Sequence, residues 1–207
     1  MCRYKNECGR SMVEMLGVLA IIGVLSVGAI AGYQKAMMKY KLNKYTHGFN
    51  ILVNNFIHHS YIFSERQDKT DTNGTGYYST FFHKLGLIPD GFKHISSSSI
   101  QDIFGNHSWI FANSTESIAG IGTYLNNGYK QQICHAIVLS AKENRQNIKY
   151  IYMQQSNNEG HSGQGHLYGD AFCNSGVRCL KDTNIEDINN ICNQCQGECR
   201  IYIQMTI

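Results

Sequence analysis

The sequence lacks the short motifs that mark many catalytic sites. Its 207 residues contain no phosphate-binding glycine loop, no Gly-x-Ser-x-Gly nucleophile turn and no His-Glu-x-x-His zinc motif. The net charge is only +3, and the basic residues are scattered apart from one cluster near the N-terminus. No face suited to binding a phosphate backbone is therefore indicated. We expect no enzymatic activity, no cofactor and no nucleic-acid partner.

Proline is also scarce, because Pro89 is the only one in the chain. Residues 10–63 can therefore form a helix without interruption. From residue 33 onward, apolar and aromatic residues recur with alternating steps of four and three, as on one face of an amphipathic helix. They are Met38, Leu42, Tyr45, Phe49, Leu52, Phe56, His59 and Phe63. We predict that residues 33–63 pack against a globular head, with His59 as a core residue and Gly48 as the weakest helical position.

Cysteine, by contrast, is abundant. Six of the eight cysteines lie after residue 133, namely Cys134, Cys173, Cys179, Cys192, Cys195 and Cys199. Such crowding is typical of a disulfide framework that forms in an oxidising compartment, which requires export. The spacing of Cys192 and Cys195 also occurs in thiol redox motifs and zinc sites, but a second C-x-x-C pair is missing. We predict structural disulfides and no metal, and the spacing leaves the pairing open.

An apolar run near the N-terminus is the candidate export signal. Residues 15–32 carry no charge, and their number is at the lower limit for a membrane-spanning helix. An ordinary signal peptide cut after Ala31 is one interpretation. The other is a polar leader, residues 1–9, that is removed after Gly9 while the apolar helix is kept. Glu14 favours the second interpretation, because a carboxylate beside an apolar helix is costly unless it pairs with a group such as the new α-amino group of a neighbouring helix.

The N-terminal stretch "CGRSMVEMLGVLAIIGVLSVGAIAGY" resembles the processing site and first helix of type IV pilins and pseudopilins. The resemblance implies that a prepilin peptidase cleaves between Gly9 and Arg10 and methylates the new N-terminus. It also implies that Glu14, as the fifth mature residue, sets the register of subunit assembly. Residues 10–32 would then form the transmembrane and assembly half of one long helix. The sequence departs from the family at Arg10, where Phe or Met is usual, and in having no proline in the middle of the span.

Residues 64–207 are predicted to form the globular head, with a cysteine-rich C-terminal region. The strand candidates are residues 108–112, 120–125, 149–154 and 199–207, whereas residues 126–144 have a helical period and residues 81–92 form a short helix or turn. Residues 64–80 are predicted to be a loop. The glycine-rich stretch with His161 and His166 is predicted to be a mobile surface loop rather than a metal site.

This order of elements is similar to that of the type IVb pilin heads in particular. The resemblance implies an α+β pilin fold, in which the long N-terminal helix packs on an antiparallel sheet. It also implies a disulfide that ties the second helix to the C-terminal region. By motif, Cys134 in "QICHAIVLSA" is the helix cysteine, and Cys199 before "RIYIQM" is its expected partner. The four other cysteines exceed the usual single bridge.

Together, these features predict the structural subunit of a type IV pilus-like extracellular filament. The precursor is expected to be a single-pass protein of the bacterial inner membrane. Its expected partners are identical or related pilin subunits, the prepilin peptidase and the inner-membrane assembly machinery. A minor pilin or a type II secretion pseudopilin shares every N-terminal feature. From other classes, a secreted disulfide-rich binding protein cut after Ala31, or a membrane-anchored thiol or zinc protein, is an alternative.

Overall fold

The structure is a computed structural model, and it describes residues 12–65, 75–113, 116–157, 160–195 and 197–206. The chain divides into two compact units, and the boundary falls between Tyr40 and Lys41. We call the unit that begins at Lys41 the head. The described part of the first unit is helical, and all described strands belong to the head.

The long N-terminal helix, α1, spans Met12–His58. In the first unit it is rich in leucine, isoleucine, valine and alanine, and proline is absent, so nothing in the sequence breaks the backbone hydrogen bonds. An 18-residue window of α1 has a mean hydropathy of 2.4, and none of it is buried within the chain. The helix is therefore long and apolar enough to span a membrane.

In the head, α1 buries one face in the hydrophobic core. Its buried residues are Tyr45, Gly48, Phe49, Leu52, Val53 and Phe56. They follow the spacing expected for an amphipathic helix, which confirms that prediction for this half of α1. The Tyr45 ring stacks on Phe49 and packs against Phe92, with centroids 5.7 Å apart in both pairs. The docking of α1 is thus largely aromatic.

The helix ends earlier than the sequence pattern predicted. Instead of continuing to Phe63, α1 stops at His58, and a short helix, α2, spans Tyr61–Glu65. Between the two helices the backbone hydrogen bonds connect residues three apart instead of four; for example, the Phe63 amide donates to the Ser60 carbonyl. The prediction of His59 as a core residue is wrong, because this side chain is only half-buried; its ring nitrogen Nδ1 lies 2.8 Å from the Asn55 carbonyl. Phe63 is nevertheless buried and stacks on Phe56, which preserves the predicted apolar contact.

The head is built on one eight-stranded sheet in which the named strands pair antiparallel. The strands are β1 (Thr75–Tyr77), β2 (Phe92–Ser96), β3 (Ser99–Asp102), β4 (His107–Asn113), β5 (Ile118–Leu125), β6 (Tyr150–Asn157), β7 (Gly160–Tyr168) and β8 (Cys199–Thr206). Their spatial order is β2-β3-β4-β5-β8-β6-β7, and β1 pairs with β4. The C-terminal strand β8 therefore lies between β5 and β6. The α+β class and the four predicted strands are confirmed.

Three further α-helices and a short 3-10 helix, Asp170–Phe172, complete the head. The three α-helices are α3 (Ser79–Lys84), α4 (Lys130–Glu143) and α5 (Ile185–Asn193). Buried side chains of all three lie in one hydrophobic cluster with α1 and the inward-facing residues of the sheet. The helix predicted at residues 126–144 is confirmed as α4. The loop predicted at residues 64–80 is wrong for Thr75–Tyr77, which form β1, and for the start of α3 at Ser79. The prediction of a mobile loop at residues 160–166 is wrong, because that stretch is strand β7 and its backbone pairs with β6 from Tyr168 to Gly160.

Gly48 is a packing position and not a weak point in α1. It is buried, and a Cβ atom there would lie 2.8 Å from the carbonyl oxygen of Asp90 and 3.1 Å from the Phe92 ring. The absence of a side chain lets the helix approach the loop before β2 this closely. Helix propensity alone, which disfavours glycine, does not capture this contact.

We expect Gly48→Ala to destabilise the head by about 1–3 kcal/mol, because the added methyl group overpacks a rigid backbone contact. Alanine is about 1 kcal/mol better than glycine in an isolated helix, so propensity predicts the opposite sign. The midpoint of urea unfolding measures the difference. His47→Ala, at an exposed position of the same helix, is the control and should be nearly neutral. A more stable Gly48→Ala variant would contradict the packing argument.

Candidate functional site

The candidate assembly site is the start of α1, where Glu14 lies in the first helical turn. The surrounding apolar side chains are exposed, with Val13 at 74%, Leu16 at 63% and Leu19 at 63%. Most of this surface is thus not covered by the residues that the structure describes. Gly9 and Arg10, the residues of the predicted cleavage site, lie outside the described residues.

The apolar run satisfies its own polar groups. Its single polar side chain, Ser26, donates a hydrogen bond to the Ile22 carbonyl at 2.7 Å. Such a bond within the helix lets a hydroxyl lie in a hydrocarbon environment. A Cβ atom added at Gly17, Gly23, Gly28 or Gly32 would meet no atom within 4 Å. These small positions are open to close approach by another helix, and Gly28 and Gly32 have the GxxxG spacing.

In the head, a disulfide joins the second long helix to the C-terminal region. Cys134 on α4 is bonded to Cys192 on α5, across a sequence separation of 58, and both residues are fully buried. The prediction that Cys134 pairs with Cys199 is therefore wrong. Helix α5 packs on α4 and presents Cys192 there, whereas Cys199 begins β8 and bonds to Cys195.

The remaining described disulfide joins Cys173 and Cys179. Their sulfur atoms and a carboxylate oxygen of Asp182 all lie within 4.8 Å of one another, a grouping of the kind that can hold a metal. Because the two sulfur atoms are bonded to each other, neither is a thiolate ligand in this form. All six cysteines after residue 133 are thus in disulfides, and Cys192 and Cys195 of the C-x-x-C spacing have different partners.

Helix α5, which was not predicted from the sequence, begins with a recognisable N-terminal capping motif. The Asn184 side chain accepts a hydrogen bond from the Asp187 amide at 2.9 Å, and the Asp187 carboxylate accepts one from the Asn184 amide at 3.0 Å. This reciprocal pair is a capping box. Ile188, Ile191 and Cys192 then form the buried face of the helix. The pattern Asn-x-x-Asp before spaced isoleucines was the signal that could have located α5.

His135, which follows Cys134 in the sequence, provides no positive charge that would lower the pKa of a cysteine thiol at this position. Burial lowers the pKa of His135 below its usual value, so its ring is neutral at neutral pH. A thiol of low pKa needs a positive neighbour or a helix N-terminus.

Two other histidines that the sequence singled out, His161 and His166, lie on strand β7. The His166 ring packs against the Tyr150 ring, with centroids 4.9 Å apart.

Comparisons with protein-family models, with curated proteins and with solved structures find no match to this chain. Its function is therefore argued from its own residues.

Proposed function

We propose that the chain is a structural subunit of an extracellular filament of the type IV pilus kind. Its precursor is held in the inner membrane by the apolar N-terminal part of α1 and is cleaved after Gly9. The mature subunit then leaves the lipid by packing its apolar helix against those of identical or related subunits. Repeated head-to-tail packing that does not close on itself produces a fibre.

One observation carries this proposal: residues 15–32 of α1 are exposed and carry no charge, yet Glu14 lies directly before them. Exposed apolar surface of this extent requires lipid or other protein. A carboxylate at the edge of that surface is costly in lipid alone. A helix bundle relieves both costs, since neighbouring helices cover the apolar surface and a neighbouring α-amino group can neutralise Glu14.

The head supports an extracytoplasmic destination. Three disulfides lie within the described part of the head, and disulfides of this density persist in oxidising compartments. An anchored helix followed by a disulfide-bonded head fits a protein that is inserted in the inner membrane with its head outside the cytoplasm. We include the prepilin peptidase and the inner-membrane assembly machinery among its partners.

The experiment that tests the proposal is the intact mass of the mature protein, measured from membranes and from material sheared off the cell surface. We expect a mass that begins at Arg10, with or without one methyl group, in both fractions. Reduction should then add two hydrogens for each of the three disulfides. A mass that begins at Gly32 would identify an ordinary signal peptide and would overturn the filament function. A chain cut at Arg10 but absent from sheared filaments would point to a pseudopilin.

A further inference from the structure

The face of the sheet that points away from the core contains a large cleft. It lies wholly within the head and has a volume of about 820 Å³. This size is within the range of sites that take small molecules, about 300–1,000 Å³. Its aromatic lining comes from five different strands and comprises Tyr77, Trp109, Phe111, Tyr124, Tyr152 and Tyr202. None of the functions considered above uses this cleft.

The strand register builds the floor of the cleft. Trp109, Gly122, Tyr202 and Tyr152 are successive cross-strand partners on β4, β5, β8 and β6. Since Gly122 has no side chain, the Trp109 indole lies over its Cα, and a Cβ atom there would overlap three atoms of the indole. The tryptophan is therefore laid across the sheet, and its partly exposed ring lines the cleft. Such a ring offers an apolar, electron-rich face to a ligand.

The aromatic floor is held in place by contacts among its own side chains. Tyr152 stacks on Tyr202 with centroids 4.6 Å apart and ring planes within 7°. Trp109 meets the same tyrosine edge-on, with centroids 5.6 Å apart. At one end of the cleft, the Arg200 guanidinium lies 5.5 Å from the centroid of the Tyr124 ring. A ligand would thus meet a surface that is already ordered, which lowers the entropic cost of binding.

A buried polar atom in the lining lacks a partner. Gln204 lines the cleft and is only 5% exposed, and its Oε1 atom accepts no hydrogen bond from the described residues. A buried acceptor without a donor costs about 1–3 kcal/mol. A donor group on a ligand in the cleft could satisfy this oxygen. Arg200 provides donors and Glu116 provides acceptors in the same lining.

We propose that this cleft binds an oligosaccharide. A pyranose has one face made of C–H groups, which stacks on an aromatic ring such as that of Trp109. Its hydroxyl groups both donate and accept hydrogen bonds, so they can serve the Gln204 oxygen, the Glu116 carboxylate and the Arg200 guanidinium together. The floor strands β4, β5, β8 and β6 are each paired on both sides, so a peptide could not bind to the floor by strand addition. The proposal does not depend on filament formation.

Trp109 is the only tryptophan in the chain, so tryptophan fluorescence reports directly on the cleft. The full chain, in a detergent without a sugar headgroup, would be titrated with a panel of soluble oligosaccharides that contain galactose, glucose, mannose, fucose or N-acetylglucosamine. We expect at least one of them to change the tryptophan emission in a saturable way. If no member of the panel binds, or if one binds without altering the emission, the proposal is wrong.

Two variants separate binding from folding. Trp109→Ala should weaken the affinity for the active oligosaccharide by about tenfold or more, measured by calorimetry, whereas Tyr61→Ala removes an exposed aromatic ring outside the cleft and should have no effect. Gln204→Leu keeps the size of the side chain and removes the orphaned oxygen. It should therefore leave the unfolding midpoint equal or higher while weakening binding about tenfold. Unchanged affinity in a folded Gln204→Leu variant would contradict the role of this side chain.

Discussion

Removal of the Cys134–Cys192 disulfide is expected to lower the free energy of unfolding of the head by about 4 kcal/mol. The estimate follows from the sequence separation of 58, because a cross-link restricts the unfolded chain more when the loop it closes is longer. Both cysteines are fully buried among apolar side chains, so the test uses the double variant Cys134→Ala and Cys192→Ala, which leaves no polar group behind. Urea unfolding of the otherwise oxidised protein, followed by Trp109 emission, measures the loss.

The chain provides a matched control in the Cys195–Cys199 disulfide. Its cysteines are also buried, but they are separated by only four positions, so their replacement by alanine should cost about 2 kcal/mol by the same relation. Equal losses from the two double variants would show that loop length is not what decides the stabilisation. Peptide mapping that found Cys134 linked to Cys199 would contradict the pairing itself.

The elements that the sequence predicted are those whose own side chains carry a strong period. In β8, Ile201 and Ile203 alternate with Tyr202 and Gln204, and the structure turns the isoleucines into the core and the other two to the opposite face. Alternation of this kind is decided locally by burial on one side of a strand. The buried face of α1 was predictable for the same reason, at a period of 3.6 residues.

Strand β7 shows why other elements could not be predicted. Its sequence, "GHSGQGHLY", contains three glycines and gives little preference for a strand. It is extended because β6 provides a partner for its backbone along the whole length of the strand. Pairing of this kind depends on the fold around the segment and is not visible in a local pattern.

The disulfide pairing and the aromatic cleft both depended on such distant relations. Cys134 meets Cys192 only because α5 forms and packs on α4, and no element was predicted at α5. Trp109 and Tyr202 lie in strands that were predicted, yet their proximity follows from the register and from the insertion of β8 between β5 and β6. Local patterns thus gave the elements and their faces, whereas the candidate sites in the head required the topology.

Replacement of Glu14 by glutamine is expected to leave the protein cleaved, inserted and oxidised but to abolish its surface filaments. In the proposed bundle, Glu14 of one subunit pairs with the α-amino group at Arg10 of its neighbour, away from water. Removal of one partner from a buried ion pair costs about 3–5 kcal/mol, because the other charge stays desolvated and unpaired. A cost of about 3 kcal/mol at each contact weakens each association by about a hundredfold. Glutamine keeps the shape of the side chain, so the charge alone is tested.

The measurement combines electron microscopy of the cell surface with the intact mass of the membrane-bound protein. Glu186→Gln makes the same chemical change at an exposed position in α5 and should leave the filaments unchanged. The mass must begin at Arg10 and change on reduction as in the wild type, because a block in processing would also remove the filaments. Normal filaments from correctly processed Glu14→Gln subunits would show that the carboxylate is not an assembly contact. The apolar surface of α1 would then have to provide the register of packing by shape alone, through its small residues.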